Sequence, residues 1–272
     1  MINRKYKINN SYFEKINTEE KSYLLGLLFA DGHNDVNRST ITLALRDKEH
    51  IEKIRKILYP MDDRPIYTIE LSKQNKNWSD SYRLVICCKQ MSDDLLELGM
   101  VNNKSFTIKI PNEIDNVLIP HFIRGYFDGD GYFSEYKNKK DCVVGITGNK
   151  MMLNQFQEIL EIKCGIHKTK MVTTSSSKNG IFKIQYGGIK NTNKIYKFIY
   201  ENATIWLERK RNKMKTYYSK YETRLNHIKT SKYQNVCFDK IRNKWWAKNI
   251  FTGKQKRFIN EDDAYDFTLV KN

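Results

Sequence analysis

Apolar residues along this chain fall into short runs whose period switches between helical and alternating. Residues 19–31 have helical spacing, with Thr18 placed as N-cap and Glu19 and Glu20 in the first turn. Residues 39–46 alternate: Ile41, Leu43 and Leu45 lie on one face, and Thr40, Thr42, Ala44 and Arg46 on the other. A helix over 48–58 follows, then strands near 65–72 and 81–88 and a helix over 90–98. The order returns downstream: helix 118–130, strands near 131–137 and 142–148, helix 150–163, strands near 168–174 and 181–187, helix 190–202. Each half reads as α-β-β-α-β-β-α, and residues 99–117, with Pro111, read as a linker. The predicted class is α+β. Two pseudo-symmetric halves, 1–105 and 106–205, place two sheets side by side as a saddle with polar outer faces.

The repeat is explicit at two short motifs. Leu24-Leu25-Gly26-Leu27-Leu28-Phe29-Ala30-Asp31-Gly32 and Ile123-Arg124-Gly125-Tyr126-Phe127-Asp128-Gly129-Asp130-Gly131 stand 99 residues apart, counted from Asp31 to Asp130. Gly26 and Ala30, or Gly125 and Gly129, lie one turn apart on one helix face, where small residues let two backbones approach. Asp31 and Asp130 then stand at helix C-termini, where the dipole opposes a carboxylate. Two such acids brought together repel unless a cation sits between them, and hard divalent cations want carboxylate oxygens.

At these residues the sequence resembles the LAGLIDADG homing endonucleases in their two-motif, single-chain form. Leu24, Gly26, Leu27, Ala30, Asp31 and Gly32 match in the first motif, and Gly125, Asp128, Asp130 and Gly131 in the second. The resemblance covers roughly residues 19–205. It implies a monomeric, site-specific nuclease that makes double-strand breaks with short 3′ overhangs at a long recognition site, for intron homing. It also implies magnesium as cofactor, two or three divalent ions shared by Asp31 and Asp130. A lysine after the last strand of each half is expected to assist. Lys89 fits that place in the first half, and Lys190 is its displaced counterpart in the second. Asp47 and Asn149 either hold water or metal, or cap helices. The same scaffold also serves intron maturases, with RNA as partner, and DNA-binding regulators that do not cleave.

Charge agrees with a polyanionic partner. The 272 residues carry 48 Lys and Arg against 31 Asp and Glu, a net charge of +17. For double-stranded DNA, the strand faces nominate Thr40, Thr42 and Arg46 in the first half and Lys168, Lys170, Lys183 and Gln185 in the second. Five scattered cysteines form neither a disulfide framework nor a zinc module. No long apolar run or apolar N-terminal core is present, so no membrane span or secretion signal is expected. The expected place is a reducing intracellular compartment: phage-infected or bacterial cytoplasm, or an organelle. The histidines show no metal-ligand spacing.

From Glu201 onward, 17 Lys and Arg face 8 Asp and Glu. Residues 206–231 are expected to form a basic linker helix that leads away from the core, with Lys210, Arg211 and Lys213 on DNA. Residues 232–272 pattern as three strands and a helix, and resemble a shortened ethylene-response-factor type DNA-binding domain. The resemblance rests on Val236, Phe238-Asp239, Arg242-Asn243-Lys244-Trp245, the 254–257 strand, Glu261 and Ala264-Tyr265. It implies strand-face DNA contacts at Arg242, Lys244, Trp246 and Lys256, with Trp245 and Trp246 on opposite faces.

Overall fold

The computed structural model describes residues 6–101, 104–136, 141–173, 180–222 and 231–271. The first half runs α1 (Glu19–Asp31), β1 (Gly32–Asp35), β2 (Thr40–Leu45), α2 (Lys48–Leu58), β3 (Ile66–Ile69), β4 (Ser81–Cys87) and α3 (Lys89–Glu97). The second runs α4 (Ile119–Asp130), β5 (Gly131–Tyr136), β6 (Asp141–Asn149), α5 (Lys150–Cys164), β7 (Val172–Thr173), β8 (Ile181–Gly187) and α6 (Ile189–Tyr200). Each half is therefore αββαββα. The sheets share one antiparallel topology, β1-β2-β4-β3 and β5-β6-β8-β7. Even the register repeats: Gly32 faces Leu43 and Thr40 faces Cys87, as Gly131 faces Ile146 and Val143 faces Gly187.

Thr18 caps α1 as expected, accepting from Lys21 N at 3.3 Å. Strand β1 is too short and polar for the alternation to have marked it. Strand β7 is shorter among the described residues than expected, so Lys168 and Lys170 precede it.

Both halves share one core. Tyr23, Leu27 and Phe29 of α1 and Phe122, Tyr126 and Phe127 of α4 are buried together with the inner faces of both sheets. The two helices run parallel and touch backbone to backbone. A Cβ on Gly26 would overlap the Phe122 carbonyl, and one on Gly125 the Tyr23 carbonyl. The glycines are there for close approach, and the motif spacing had indicated as much.

The basic helix departs from expectation. Helix α7 (Glu208–Lys220) does not lead away: Met214, Tyr217 and Tyr218 are buried in the main core, with Phe133 packed against both tyrosines. Residues 223–230 of the expected linker lie outside the described residues. Beyond them, β9 (Val236–Asp239), β10 (Lys244–Lys248) and β11 (Gln255–Phe258) form a three-stranded sheet with α8 (Glu261–Leu269) on one face. This unit has its own small core of Val236, Ala247 and Ala264.

Candidate active site

The two motif helices end side by side. A Cβ on Gly129 would overlap the Ala30 methyl and approach the Asp31 carboxylate, so the last turns of α1 and α4 are in contact. Asp31 is open to solvent and Asp130 is half-buried. Partial desolvation of its carboxylate raises the Asp31 pKa, against the pull of Lys210, Lys104 and Arg209. Burial, with the Asp31 charge added, pushes Asp130 up to about 6. The structure thus brings the two carboxylates within reach of each other's charge.

Two lysines that the sequence reading missed complete the centre. Lys104, in a short 3-10 turn of the linker, donates to the carbonyls of Phe29 at 2.6 Å and Ala30 at 2.8 Å. Lys210 of α7 donates to Phe127 and Gly129 at 2.8 Å each and to Gly131 at 2.6 Å. Each ammonium thus meets the orphan carbonyls and negative dipole at one motif-helix end. Burial lowers both, Lys210 to about 8, although neighbouring carboxylates oppose the shift. Lys104 follows Asp31 by 73 residues and Lys210 follows Asp130 by 80. In a lysine-rich chain that rough match singles out neither.

Lys89 and Lys190 are elsewhere. Each follows a last strand that runs antiparallel to its neighbour and ends beside Thr40 or Val143, three ladder positions from the motif glycine's partner. Lys89 is exposed and paired with Asp93 at 2.8 Å. Lys190 begins α6, its pKa lowered by partial burial and by Lys194 and Lys240. Neither is among the charges that act on Asp31 or Asp130.

Asp47 and Asn149 have diverged. Asn149 is buried and caps α5, accepting from Met152 N at 2.9 Å and donating to Ile108 O at 2.9 Å. Asp47 makes no cap bond; it holds Arg209 in a two-pronged pair at 3.1 Å. Asp47 and Arg209 line a cavity of about 450 Å³ that also contains Asp31, Arg46 and Lys210.

Beneath the site lies a second acid, Asp128, where the first motif has Phe29. It is fully enclosed and accepts from Tyr23 Oη at 2.9 Å, Tyr200 Oη at 2.5 Å and Leu207 N at 2.7 Å. Burial moves it up to about 6 despite these donors. Tyr23 has one hydroxyl proton and gives it to Asp128, so His50 Nε2, 2.8 Å away, must be the donor to Tyr23. The network ties α1, α6 and the start of α7 together.

The remaining candidates lie on the two sheets, on α7 and in the C-terminal unit. Thr40 and Thr42 lie on the outer face of the first sheet, opposite Cys87 and Val85, and Arg46 is exposed just beyond. Lys183 and Gln185 lie on the outer face of the second, where Gln185 bonds the Tyr132 hydroxyl. Lys168 and Lys170 are exposed, and Lys168 is paired with Glu158.

On α7, Lys210 is buried under the active site, so it is not the expected surface contact. Arg211 stacks on Trp206 at 3.9 Å, and Lys213 is exposed but donates to Phe133 O.

In the small C-terminal unit, Trp246 is on the outer sheet face, flanked by Cys237 and Arg257, and Lys244 shares that face. Trp245 packs on Phe238 on the helix side. Lys256 pairs opposite Ala247, which places it on the helix side rather than the outer face, with its ammonium over the Phe258 ring. Arg242 is tied to Asp239 at 3.2 Å.

Of the acids at the centre, Asp128 is enclosed by its hydrogen bonds and Asp47 is held by Arg209, which leaves Asp31 and Asp130 as the facing pair. Among the described residues, no group of three or more His, Cys, Asp or Glu is placed to hold a metal ion. That suits magnesium, which takes one or two carboxylates and fills its other positions with water and substrate phosphate. The donor set therefore fits the ion that the motif implies. Among the described residues, no helix is long and apolar enough to cross a membrane.

Residues 119–267 match the family described as LAGLIDADG-like domain. The chain superposes on the homing endonuclease I-WcaI bound to its DNA recognition sequence with a TM-score of 0.51 at 16% identity, covering 75% of this chain and 90% of that one. It also matches the LAGLIDADG meganuclease I-AabMI bound to uncleaved DNA (TM-score 0.49, 12% identity, 75% and 91% covered). A third match is full-length DUF199/WhiA from Thermatoga maritima (TM-score 0.49, 16% identity, 78% and 64% covered). No curated protein sequence matches the chain.

Proposed function

The chain belongs to the LAGLIDADG-like domain family, and from that premise we propose that it is a site-specific DNA endonuclease making double-strand breaks with short 3′ overhangs. The observation that carries this reading is the pairing of Asp31 and Asp130 at the ends of two parallel helices, each opening into a sheet with a free outer face. Structure alone gives no reason to press two carboxylates together at the negative ends of two helices. The net charge of +17 favours a polyanionic substrate.

Asp31 and Asp130 would hold magnesium. When bound, the ion would activate water and offset charge on the scissile phosphate. Lys104 and Lys210 hold the helix ends in register and keep positive charge beside the acids. Arg209, at the mouth of the cavity beside Asp31, is placed to exchange Asp47 for a phosphate oxygen. The outer faces of the two sheets would lie on the duplex, with Thr40, Thr42, Lys183 and Gln185 towards the bases. The C-terminal unit would extend the contact through Lys244 and Trp246.

The test is cleavage of a randomised plasmid library with magnesium, followed by sequencing of the ends. Recovery of one long motif cut on both strands, lost in Asp31→Asn and Asp130→Asn, supports the reading. Retention of a specific site without cleavage under any divalent metal would point instead to a non-cleaving DNA-binding protein.

A further inference from the structure

One loop of the C-terminal unit is built to hold apolar side chains in solvent. It joins β10 to β11 over residues 249–254, and the buried Asn249 organises it from within. Asn249 Oδ1 accepts from Phe251 N at 3.0 Å and Thr252 N at 2.8 Å. Its Nδ2 donates to the carbonyls of Phe267 and Val270 at 2.8 Å each. Ile250 N donates to Thr268 O at 3.0 Å, so the loop is stitched to the end of α8. Gly253, at a φ of 71° that favours glycine, closes the turn by donating to Asn249 O.

This fixed loop leaves Ile250 51% and Phe251 52% exposed. Neither belongs to the small core of the unit or packs against it. Two large apolar side chains held in water on a preorganised loop form a binding surface, because little entropy is lost when they are covered.

The surroundings select the partner. Lys248, Lys254 and Lys271 stand exposed beside the loop, and among the described residues none of them forms an ion pair. The Lys271 ammonium lies over the Phe251 ring at 5.2 Å. Protein interfaces are poor in lysine, whereas an apolar tip among free cations suits a duplex, with phosphates outside and stacked bases inside. Lys248 also continues the row of Lys244 and Trp246 along the outer face of β10, so the loop stands at the end of that face.

We propose that Phe251, backed by Ile250, wedges between two base pairs and kinks the duplex, with Lys248, Lys254 and Lys271 on the flanking phosphates. The wedge presupposes the DNA contact proposed above for this unit, and adds to it a bending function separate from the paired aspartates.

The test is binding of the full chain, in calcium and low salt, to two duplexes of one arbitrary sequence, each end-labelled with a donor and an acceptor dye. One duplex is continuous and the other carries a central tandem mismatch. A wedge must unstack a base step, so the mismatched duplex should bind about tenfold tighter or more, with higher energy transfer. Ile250→Ala/Phe251→Ala should bind the two duplexes alike, and should melt near wild type because both side chains are exposed. Phe251→Leu, which still offers an apolar wedge, should keep the preference. Equal affinity of the wild type for the two duplexes, or no binding to either, would overturn the assignment. So would a preference and energy transfer unchanged in the double variant, which would place the bend in the two-sheet core. Cleavage has no part in this readout: binding with the expected preference but no cutting in magnesium would refute the nuclease and leave the wedge standing.

Discussion

Lys104 and Lys210, far apart in sequence, make the same contact: each places its ammonium on the last carbonyls of one motif helix. One comes from the linker and the other from a helix beyond the second half. A pseudo-twofold centre is thereby built from four residues, Asp31, Asp130, Lys104 and Lys210, of which only the acids sit in the repeated motif.

Removing either lysine should slow cleavage without abolishing binding. Lys104→Met and Lys210→Met each leave two or three helix-end carbonyls without their donor, and withdraw a positive charge from the carboxylates. A loss of at least about tenfold in single-turnover rate, or roughly 1.4 kcal/mol, is expected on DNA bound in calcium and started with magnesium. Lys89→Met should cut at nearly the wild-type rate. A defect in Lys89→Met as large as in Lys104→Met would return the catalytic lysine to the strand end.

Helix contact sets the distance between the two acids. Gly26→Leu or Gly125→Leu must displace the facing backbone rather than a side chain. The cost should exceed the roughly 1–3 kcal/mol of ordinary overpacking, and the melting temperature should drop by about 10 °C. A melt within about 2 °C of wild type for both would show that the helices do not touch there.

Neutralising one acid should stabilise the metal-free protein. Asp130 has a folded pKa raised to about 6, so folding favours its protonated form. The wild type therefore gains stability as pH falls from about 6 towards the ordinary carboxylate value, and carries the repulsion in full above it. Asp130→Asn should melt higher than wild type at pH 7.5 by on the order of 1 kcal/mol, allowing for solvent screening of a half-exposed group. The gap should close by pH 4. Cleavage should be lost at every pH. A lower melt for Asp130→Asn at pH 7.5 in chelator would contradict the electrostatic argument.

Truncation should separate the two parts of the C-terminal region. A chain ending after Ala203 loses Leu207, Lys210 and the buried face of α7, and should neither fold stably nor cut. A chain ending after Glu222 keeps all of these. It should cleave, protect a shorter stretch of DNA on one side, and show a salt dependence flatter by about 0.9 in log–log slope per lost phosphate contact. An unchanged footprint and slope would remove the small unit from the DNA.

The amino-acid sequence by itself determined the repeat, the αββαββα order of each half and the pairing of the two motif helices. Those features are written locally: alternation marks a half-buried strand, and glycines one turn apart mark a close helix contact. It also placed Asp31 and Asp130, because the motif carries its acids with it. Only the tertiary structure decided which basic residues reach them. Strand direction carries Lys89 and Lys190 away from the centre, and a linker turn and α7 bring Lys104 and Lys210 in. The same holds for α7: its charges read as a solvated helix, while Met214, Tyr217 and Tyr218 put one face in the core. In β11, Gln255-Lys256-Arg257-Phe258 has a single apolar residue, so no alternation shows which cation faces outward. Pairing across to Ala247 and Trp246 turned Lys256 to the helix side and Arg257 to the open face. Contacts between residues far apart in sequence depend on chain direction and ladder register, and the local pattern carries neither.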